Sequence, residues 1–303
     1  MEVFHSLKSV NPSDIHVGWI GIGVMGGAMA SRILTAGYKV TVFARTPEKA
    51  LFLKNQGAQI ATSLSEVASV SDVVFTMVGH PSDVSSVVLG DQCVLSSLSK
   101  GGVIVDHTSS DPQLAKEIAT TALSKGCWAI DAPVSGGDIG AKEGKLAIFA
   151  GGDYNVVKWL TPLFEIMGKP TYVGESGCGM SCKIANQITV SANLVGLSEG
   201  LTFAKQTGLD LRQYMNSIRG GAAGSKVMEI FGERMIERDF IGGSFAEYVV
   251  KDLGMGLEGK EDKPVVLPGA ALSKQLFLSM VANGDGKMGM QGLVTVIERM
   301  NGK

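Results

Sequence analysis

Residues 17–21, VGWIG, form an apolar run that enters GIGVMG, and in that hexapeptide Gly21, Gly23 and Gly26 stand at G-x-G-x-x-G spacing. From Val24 to Ala36 apolar residues recur at helical spacing, and Gly37 follows as a natural stop. Strand, glycine turn and helix in that order are what the dinucleotide fingerprint demands, and they leave few folds open. Each glycine has its own physical reason: a tight turn at 21, close approach of backbone to a pyrophosphate at 23, close packing of helix on strand at 26. The turn residues Gly21, Ile22, Gly23, Val24, Met25 and Gly26 would then offer backbone N–H groups to the phosphates at the helix N-terminus.

The same rhythm continues. Spacing predicts strands at 38–43, 58–60, 72–77, 103–106 and 128–131, with helices at 47–56, 64–70, 82–89 and 112–125 between them. Strands near 146–150 and 170–173 flank a further helix at 153–167. Such alternation predicts a doubly wound α/β domain of the Rossmann type. Gly174, Gly177 and Gly179 then make a bend, and the helical pattern behind it runs to about Thr207, long enough to leave one domain and become the spine of another. Helices follow near 210–218, 223–237, 244–259, 268–283 and 289–300, with no strand signal among them. The expected division is a nucleotide-binding domain over 1–178 and an all-α domain over 179–303 that begins with the connecting helix; 303 residues give room for both.

Charge removes two classes of partner. With Lys+Arg at 27 against Asp+Glu at 29, no field exists to attract nucleic acid or an anionic membrane. No apolar run approaches a membrane span, and the first sixteen residues lack both the apolar core of a secretory signal and the arginines of a transit peptide. The expected location is soluble and intracellular, in cytoplasm or mitochondrial matrix, and not secreted. Four cysteines, at 93, 127, 178 and 182, have no disulfide spacing. Cys178 and Cys182 lie four apart but lack a second pair of ligands, so they read as small buried thiols and no metal is expected.

The residues able to do chemistry lie at strand ends. Strand 38–43 runs into Ala44-Arg45-Thr46-Pro47, where an NAD-specific site would place an acid. Arg45 and the Thr46 hydroxyl suit a 2′-phosphate instead, so NADP(H) is favoured and NAD(H) remains possible. Val78, in Val78-Gly79-His80-Pro81, and Ser109, in the HTSS of 107–110, also follow strands and can line a cofactor crevice. Thr108 and Ser109 could equally cap the helix that starts near Asp111-Pro112, and His107 is a weaker candidate for catalysis. In DAPVSGG, 131–137, Ser135 with Gly136 and Gly137 supplies a hydroxyl and two unobstructed N–H groups, a nest able to hold a carboxylate. Lys183 stands on a rigid helix just past a glycine bend. Hydride leaves a carbinol carbon only if the hydroxyl proton is removed, and a desolvated lysine near a second cation is poised for that work in both directions. Asn186 or Gln187 would orient it or bond the substrate oxygen.

Four separated segments agree on a resemblance: GIGVMGGAMA at 21–30, DAPVSGG at 131–137, G-x-x-G-x-G-x-x-x-K-x-x-N at 174–186, and KDLGMGL at 251–257. They make the chain similar to the β-hydroxyacid dehydrogenases, the family of 3-hydroxyisobutyrate dehydrogenase and tartronate semialdehyde reductase. The resemblance implies that Lys183 is the catalytic lysine, that Ser135, Gly136 and Gly137 hold the substrate carboxylate, and that Ser109 lies near nicotinamide and substrate. It implies that Lys251 reaches back from the helical half toward the cofactor. The assisting amide is Asn in many members at the position of Gln187. The implied activity is oxidation of a small β-hydroxyacid such as 3-hydroxyisobutyrate, with reduction of tartronate semialdehyde, glyoxylate or succinic semialdehyde as the alternative. The last two fit less well, since their reductases carry DMST where this chain has DHTS and Phe where it has Ser244. A homodimer or homotetramer is implied as well. Two rivals remain: a catalytically silent nucleotide-binding scaffold, and a dehydrogenase using a histidine–carboxylate pair. The second would need a histidine in the second half, whereas all four, at 5, 16, 80 and 107, precede Lys183.

Overall fold

Val17, Trp19, Val73, Phe75, Val103 and Val105 are completely buried, as strands covered on both faces require. In the computed structural model, which describes residues 8–258 and 265–302, they belong to a nine-stranded sheet. The first half runs β1 (His16–Ile20), α1 (Val24–Thr35), β2 (Lys39–Phe43), α2 (Leu51–Asn55), β3 (Gln59–Ile60), α3 (Leu64–Val70) and β4 (Val73–Thr76). It continues through α4 (Pro81–Leu89), α5 (Val94–Ser97), β5 (Val103–Asp106), α6 (Pro112–Ser124), β6 (Trp128–Asp131), β7 (Val134–Ser135) and α7 (Gly137–Glu143). β8 (Leu146–Gly151), α8 (Tyr154–Met167) and β9 (Gly168–Gly174) complete it. The order is β3-β2-β1-β4-β5-β6-β8-β7, with β9 paired to β8. From β3 to β6 every pairing is parallel, β8 is antiparallel to β6 and β7, and β9 is parallel to β8. Alternate residues feed two cores: Trp19, Phe75 and Val105 pack with Met29 and Phe164, while Ile20, Val74 and Ile104 pack with Val84, Leu95 and Ile118.

The doubly wound reading therefore holds, with local corrections. α5, β7 and α7 were not expected: α5 is four residues long, and β7 and α7 lie where Gly136 and Gly137 suggested only a turn. Segment 47–56 opens as a 3₁₀ turn, Pro47–Ala50, before α2.

The second half is helical. It comprises α9 (Cys178–Gln206), α10 (Leu211–Ile218), α11 (Lys226–Ile236), α12 (Ala246–Glu258), α13 (Pro268–Ala282) and α14 (Leu293–Met300). α9 has 29 residues, so it is about 44 Å long at 1.5 Å per residue. The two compact units divide inside it, as Met1–Lys183 and Ile184–Lys303. Position 259, expected to end the helix at 244–259, lies outside the described residues; the segment 289–300 begins as a 3₁₀ turn, Met290–Gly292. Among the described residues one isolated bridge, Phe245 to Gly289, is the extended pairing of this half. Its core centres on Phe277, Met280, Val249, Leu253, Leu194 and Leu293. No helix among the described residues is long and apolar enough to cross a membrane.

Phe277 has no exposed surface, so Phe277→Ala should leave a cavity and cost about 3–5 kcal/mol. A urea titration of wild type and variant checks this in the shift of the unfolding transition.

Candidate active site

The three glycines of the first turn prove to be different kinds of glycine. Gly21 has φ +98°, and a Cβ there would lie 2.2 Å from the Met77 carbonyl oxygen. At Gly26 a Cβ would lie 2.1 Å from the Gly21 carbonyl oxygen, so both positions are closed by the protein itself. Gly23 is open: a Cβ would meet nothing within 4 Å, and as N-cap of α1 it carries no side chain that bonds the first N–H groups. No side chain caps those groups and Gly23 puts no Cβ beside them, which suits a pyrophosphate at the helix start. Ile22, Val24 and Met25 complete the turn, and Val24 is half exposed at 49%.

β1, β4, β5 and β6 are neighbours, so their C-terminal ends share one edge of the sheet. The loops there are tied together by polar atoms that sequence spacing did not reveal. The Val78 N–H donates to the Thr108 hydroxyl at 3.0 Å. The Thr108 N–H in turn donates to Asp106 at 3.0 Å, and the Thr76 hydroxyl donates to the same carboxylate oxygen at 2.8 Å. Capping of α6 falls instead to Asp111, whose carboxylate accepts from the Gln113 and Leu114 N–H groups. Ser109 is half-buried on the β5 loop. His107 packs face to face on Phe75, 5.3 Å between centroids, and burial lowers its imidazole to about 4. It is a neutral core residue.

β6 ends at Asp131, and this residue organises the segments on its C-terminal side. Its carboxylate accepts from the Gly177 N–H at 2.8 Å and from the Met180 N–H at 2.9 Å, which are donors at the start of α9. Gly179 lies in the first turn, where a Cβ would come within 2.3 Å of the Asp131 carbonyl oxygen and 2.5 Å of that of Phe149. The helix is therefore seated backbone against backbone on β6 and β8. Burial pushes the Asp131 carboxyl up to about 7, against the pull of the two N–H donors, and Asp106 on the neighbouring strand pushes the same way. From this same strand end the chain runs through Ser135 to Gly136 (φ +133°) and Gly137 (φ +65°), whose N–H groups open α7; a Cβ on Gly137 would meet nothing. Lys183 follows Met180 by three residues, about one turn, and is only 8% exposed. Asp131 and Asp106 could have been suspected as acids ending apolar strands, but Asp131's donors lie 46 and 49 residues away.

In the helical unit the amide pair is ordered. Asn186 donates to the Gln187 side-chain oxygen at 3.1 Å, and Gln187 donates to Asp252 at 2.8 Å. The Lys251 ammonium lies 3.3 Å from Asp252 and 5.5 Å above the Tyr248 ring. Lys251 and Asp252 are largely buried, not a solvated pair, and Asp252 joins the candidate residues because of Gln187. Arg45, by contrast, is 83% exposed and lies 3.5 Å from Asp83; Thr46 precedes the 3₁₀ turn without capping it. Cys178 and Cys182 are half-buried where full burial was expected, while Cys93 and Cys127 are buried. The first two occupy the seated end of α9, which covers them incompletely.

Comparison with known proteins decides the family. A model described as the NAD binding domain of 6-phosphogluconate dehydrogenase matches residues 16–180, and one described as NAD-binding of NADP-dependent 3-hydroxyisobutyrate dehydrogenase matches 177–297. "Probable 3-hydroxyisobutyrate dehydrogenase-like 3, mitochondrial" of Arabidopsis thaliana is 56% identical over 97% of this chain and 91% of its own length. The chain belongs to the β-hydroxyacid dehydrogenases. The 2-hydroxy-3-oxopropionate reductase of Escherichia coli K12 is another relative, 38% identical over 94% of this chain and 97% of its own. Among solved structures, "Psf3 in complex with NADP+ and 2-OPP" superposes with a TM-score of 0.86 at 26% identity, covering 93% of this chain and 99% of that one. As a β-hydroxyacid dehydrogenase, this protein is an NAD(P)-dependent oxidoreductase acting on a small hydroxyacid.

Two outcomes are expected from this geometry. Gly23→Ala should leave stability within about 1 kcal/mol of wild type, since its Cβ meets no protein atom, yet weaken dinucleotide binding at least about tenfold; thermal melting and fluorescence titration separate the two effects. The second outcome concerns pH. His107 titrates at about 4 when folded against 6.5 as a free side chain, so the unfolded chain binds its proton first and the stability that the neutral ring contributes is lost as pH falls from about 6.5 to 4. Asp131 has the opposite sign: its folded value of about 7 exceeds 3.8, so its contribution is present at low pH and lost as pH rises toward 7. Unfolding free energies across pH 4–7 should therefore fall less steeply toward acid in His107→Phe than in wild type, and more steeply in Asp131→Asn.

Proposed function

We propose that the protein oxidises 3-hydroxyisobutyrate or a close β-hydroxyacid, with Lys183 as general base, and that the same lysine acts as general acid in the reverse reduction. The observation that carries this reading is the burial of Lys183 on a helix whose start is fixed to β6 through Asp131. A lysine so held stands on a backbone whose position relative to β6 is fixed. Nicotinamide dinucleotide supplies the hydride acceptor when bound, at the Gly21–Gly26 turn with Val78 and Ser109 along its length.

In this reading Ser135, Gly136 and Gly137 hold the substrate carboxylate through the hydroxyl and the N–H groups that open α7. Lys183 takes the proton of the hydroxyl at the reacting carbon. Gln187, one turn further along the same helix, bonds the substrate oxygen or steadies the amine, with Asn186 bonded to it and Asp252 fixing its amide. Lys251, partly neutralised by Asp252, serves the cofactor side. Arg45 and Thr46 receive a 2′-phosphate, so NADP(H) is favoured over NAD(H). The relative from Escherichia coli supports tartronate semialdehyde as the substrate of a second reading, reduction in place of oxidation. A mitochondrial location and assembly as a homodimer or homotetramer belong to the same proposal; the mitochondrial name of the plant relative supports the first.

Lys183→Met is the test. Assayed against 3-hydroxyisobutyrate, glycerate, serine and tartronate semialdehyde with both cofactors, it should lower kcat about 10²–10⁴-fold while dinucleotide binding stays near wild type. Turnover within about tenfold of wild type would remove the lysine from the chemistry.

A further inference from the structure

We infer that Asp83 is a specificity-determining residue, an anion built beside Arg45 that restrains the preference for a 2′-phosphorylated cofactor. The inference rests on the reading of Arg45 as the 2′-phosphate ligand and goes one step beyond it.

Arg45 follows β2 and Asp83 lies in the first turn of α4, which follows β4; β1 lies between those two strands in the sheet. The ends of β2 and β4 therefore stand on either side of the strand that feeds the glycine turn. Asp83 is not free to move away. One of its oxygens accepts the His80 N–H at 3.1 Å, the bond that closes the start of α4, and this leaves the other oxygen 3.5 Å from the guanidinium. The side chains differ in exposure, 27% for Asp83 against 83% for Arg45. The acid is thus the fixed partner and the arginine the mobile one.

A 2′-phosphate brings a further charge of about −1.5 to −2. To chelate it, the guanidinium must share its donors between the phosphate and a carboxylate whose place is set by backbone. The phosphate also enters the field of Asp83, since charges within a Debye length of about 8 Å are felt at physiological salt. A ribose 2′-hydroxyl meets neither difficulty. Asp83 consequently penalises NADP(H) and leaves NAD(H) nearly untouched, which keeps both cofactors usable on a site whose arginine alone would favour one. Pairs this exposed are worth little individually, so the effect is modest, about twofold to fivefold.

The experiment measures Kd for NADPH and NADH by fluorescence titration, and kcat/KM with each, in wild type, Asp83→Asn, Arg45→Ala and the double variant, at low salt and at high salt. Asp83→Asn should raise the NADPH/NADH ratio about twofold to fivefold through a lower Kd and KM for NADPH, with kcat unchanged. The gain should shrink at high salt and be smaller in the Arg45→Ala background, where only the direct repulsion between phosphate and carboxylate remains. Asp83→Ser, which retains an oxygen near the His80 N–H, serves if the asparagine variant melts early. An unchanged or lowered ratio in both Asp83 variants, while Arg45→Ala weakens NADPH use, overturns the role of Asp83 alone. If Arg45→Ala leaves NADPH use unchanged, the phosphate reading of Arg45 fails first and takes this inference with it.

Discussion

Two hydrogen bonds to one buried carboxylate fix where the longest helix of this structure begins. Asp131 ends β6 and accepts the N–H groups of Gly177 and Met180. A carboxylate at a helix N-terminus gains from the donors and from the dipole. Charge-assisted bonds of this kind contribute about 1.5–3 kcal/mol each, whereas removing a carboxylate from water costs several kcal/mol. A carboxyl raised to about 7 tells which side wins: desolvation exceeds the help of its donors. Asp131 is therefore a poor device for stability and a good one for position. It fixes where the 29-residue helix begins, and Lys183 lies one turn beyond.

Position also explains the glycines around it. At 21, 26 and 179 a side chain would collide with backbone carbonyls of the protein itself, so these residues serve close packing. At 23 and 137 there is room for a Cβ, and neither α1 nor α7 has a side-chain cap bond at its start. The fingerprint spacing separates these two reasons at 21, 23 and 26, whereas at 137 and 179 only the geometry does.

Much of the fold was readable from the chain. Parallel strands buried on both faces show as apolar runs, and glycine junctions mark the turns into helices, which is why β1 to β6 lie close to their expected limits. The helical half was legible from periodicity alone. The features that escaped were short or distant. α5 and β7 are too brief to show a period, and α7 begins at a glycine pair whose positive φ reads as a turn. Among candidate residues, the glycine turn, the Ser135 segment and Lys183 could be nominated from the sequence because each belongs to a compact motif. Asp131 and Asp252 were not, since their partners lie 46 and 65 residues away and nothing local announces the bond.

The cations of the site illustrate how burial sorts roles. Lys183 is 8% exposed, and a charge so placed is sensitive to every neighbour, which suits the proton transfer proposed for it. Arg45 is 83% exposed, always charged, and able to reorient toward a ligand that arrives from water. Exchanging the two residue types would defeat both proposed tasks: a buried guanidinium holds its proton too firmly to act as a base, and an exposed ammonium cannot chelate a phosphate with two parallel donors. The division of lysine and arginine between these positions is thus set by water access before any ligand is considered.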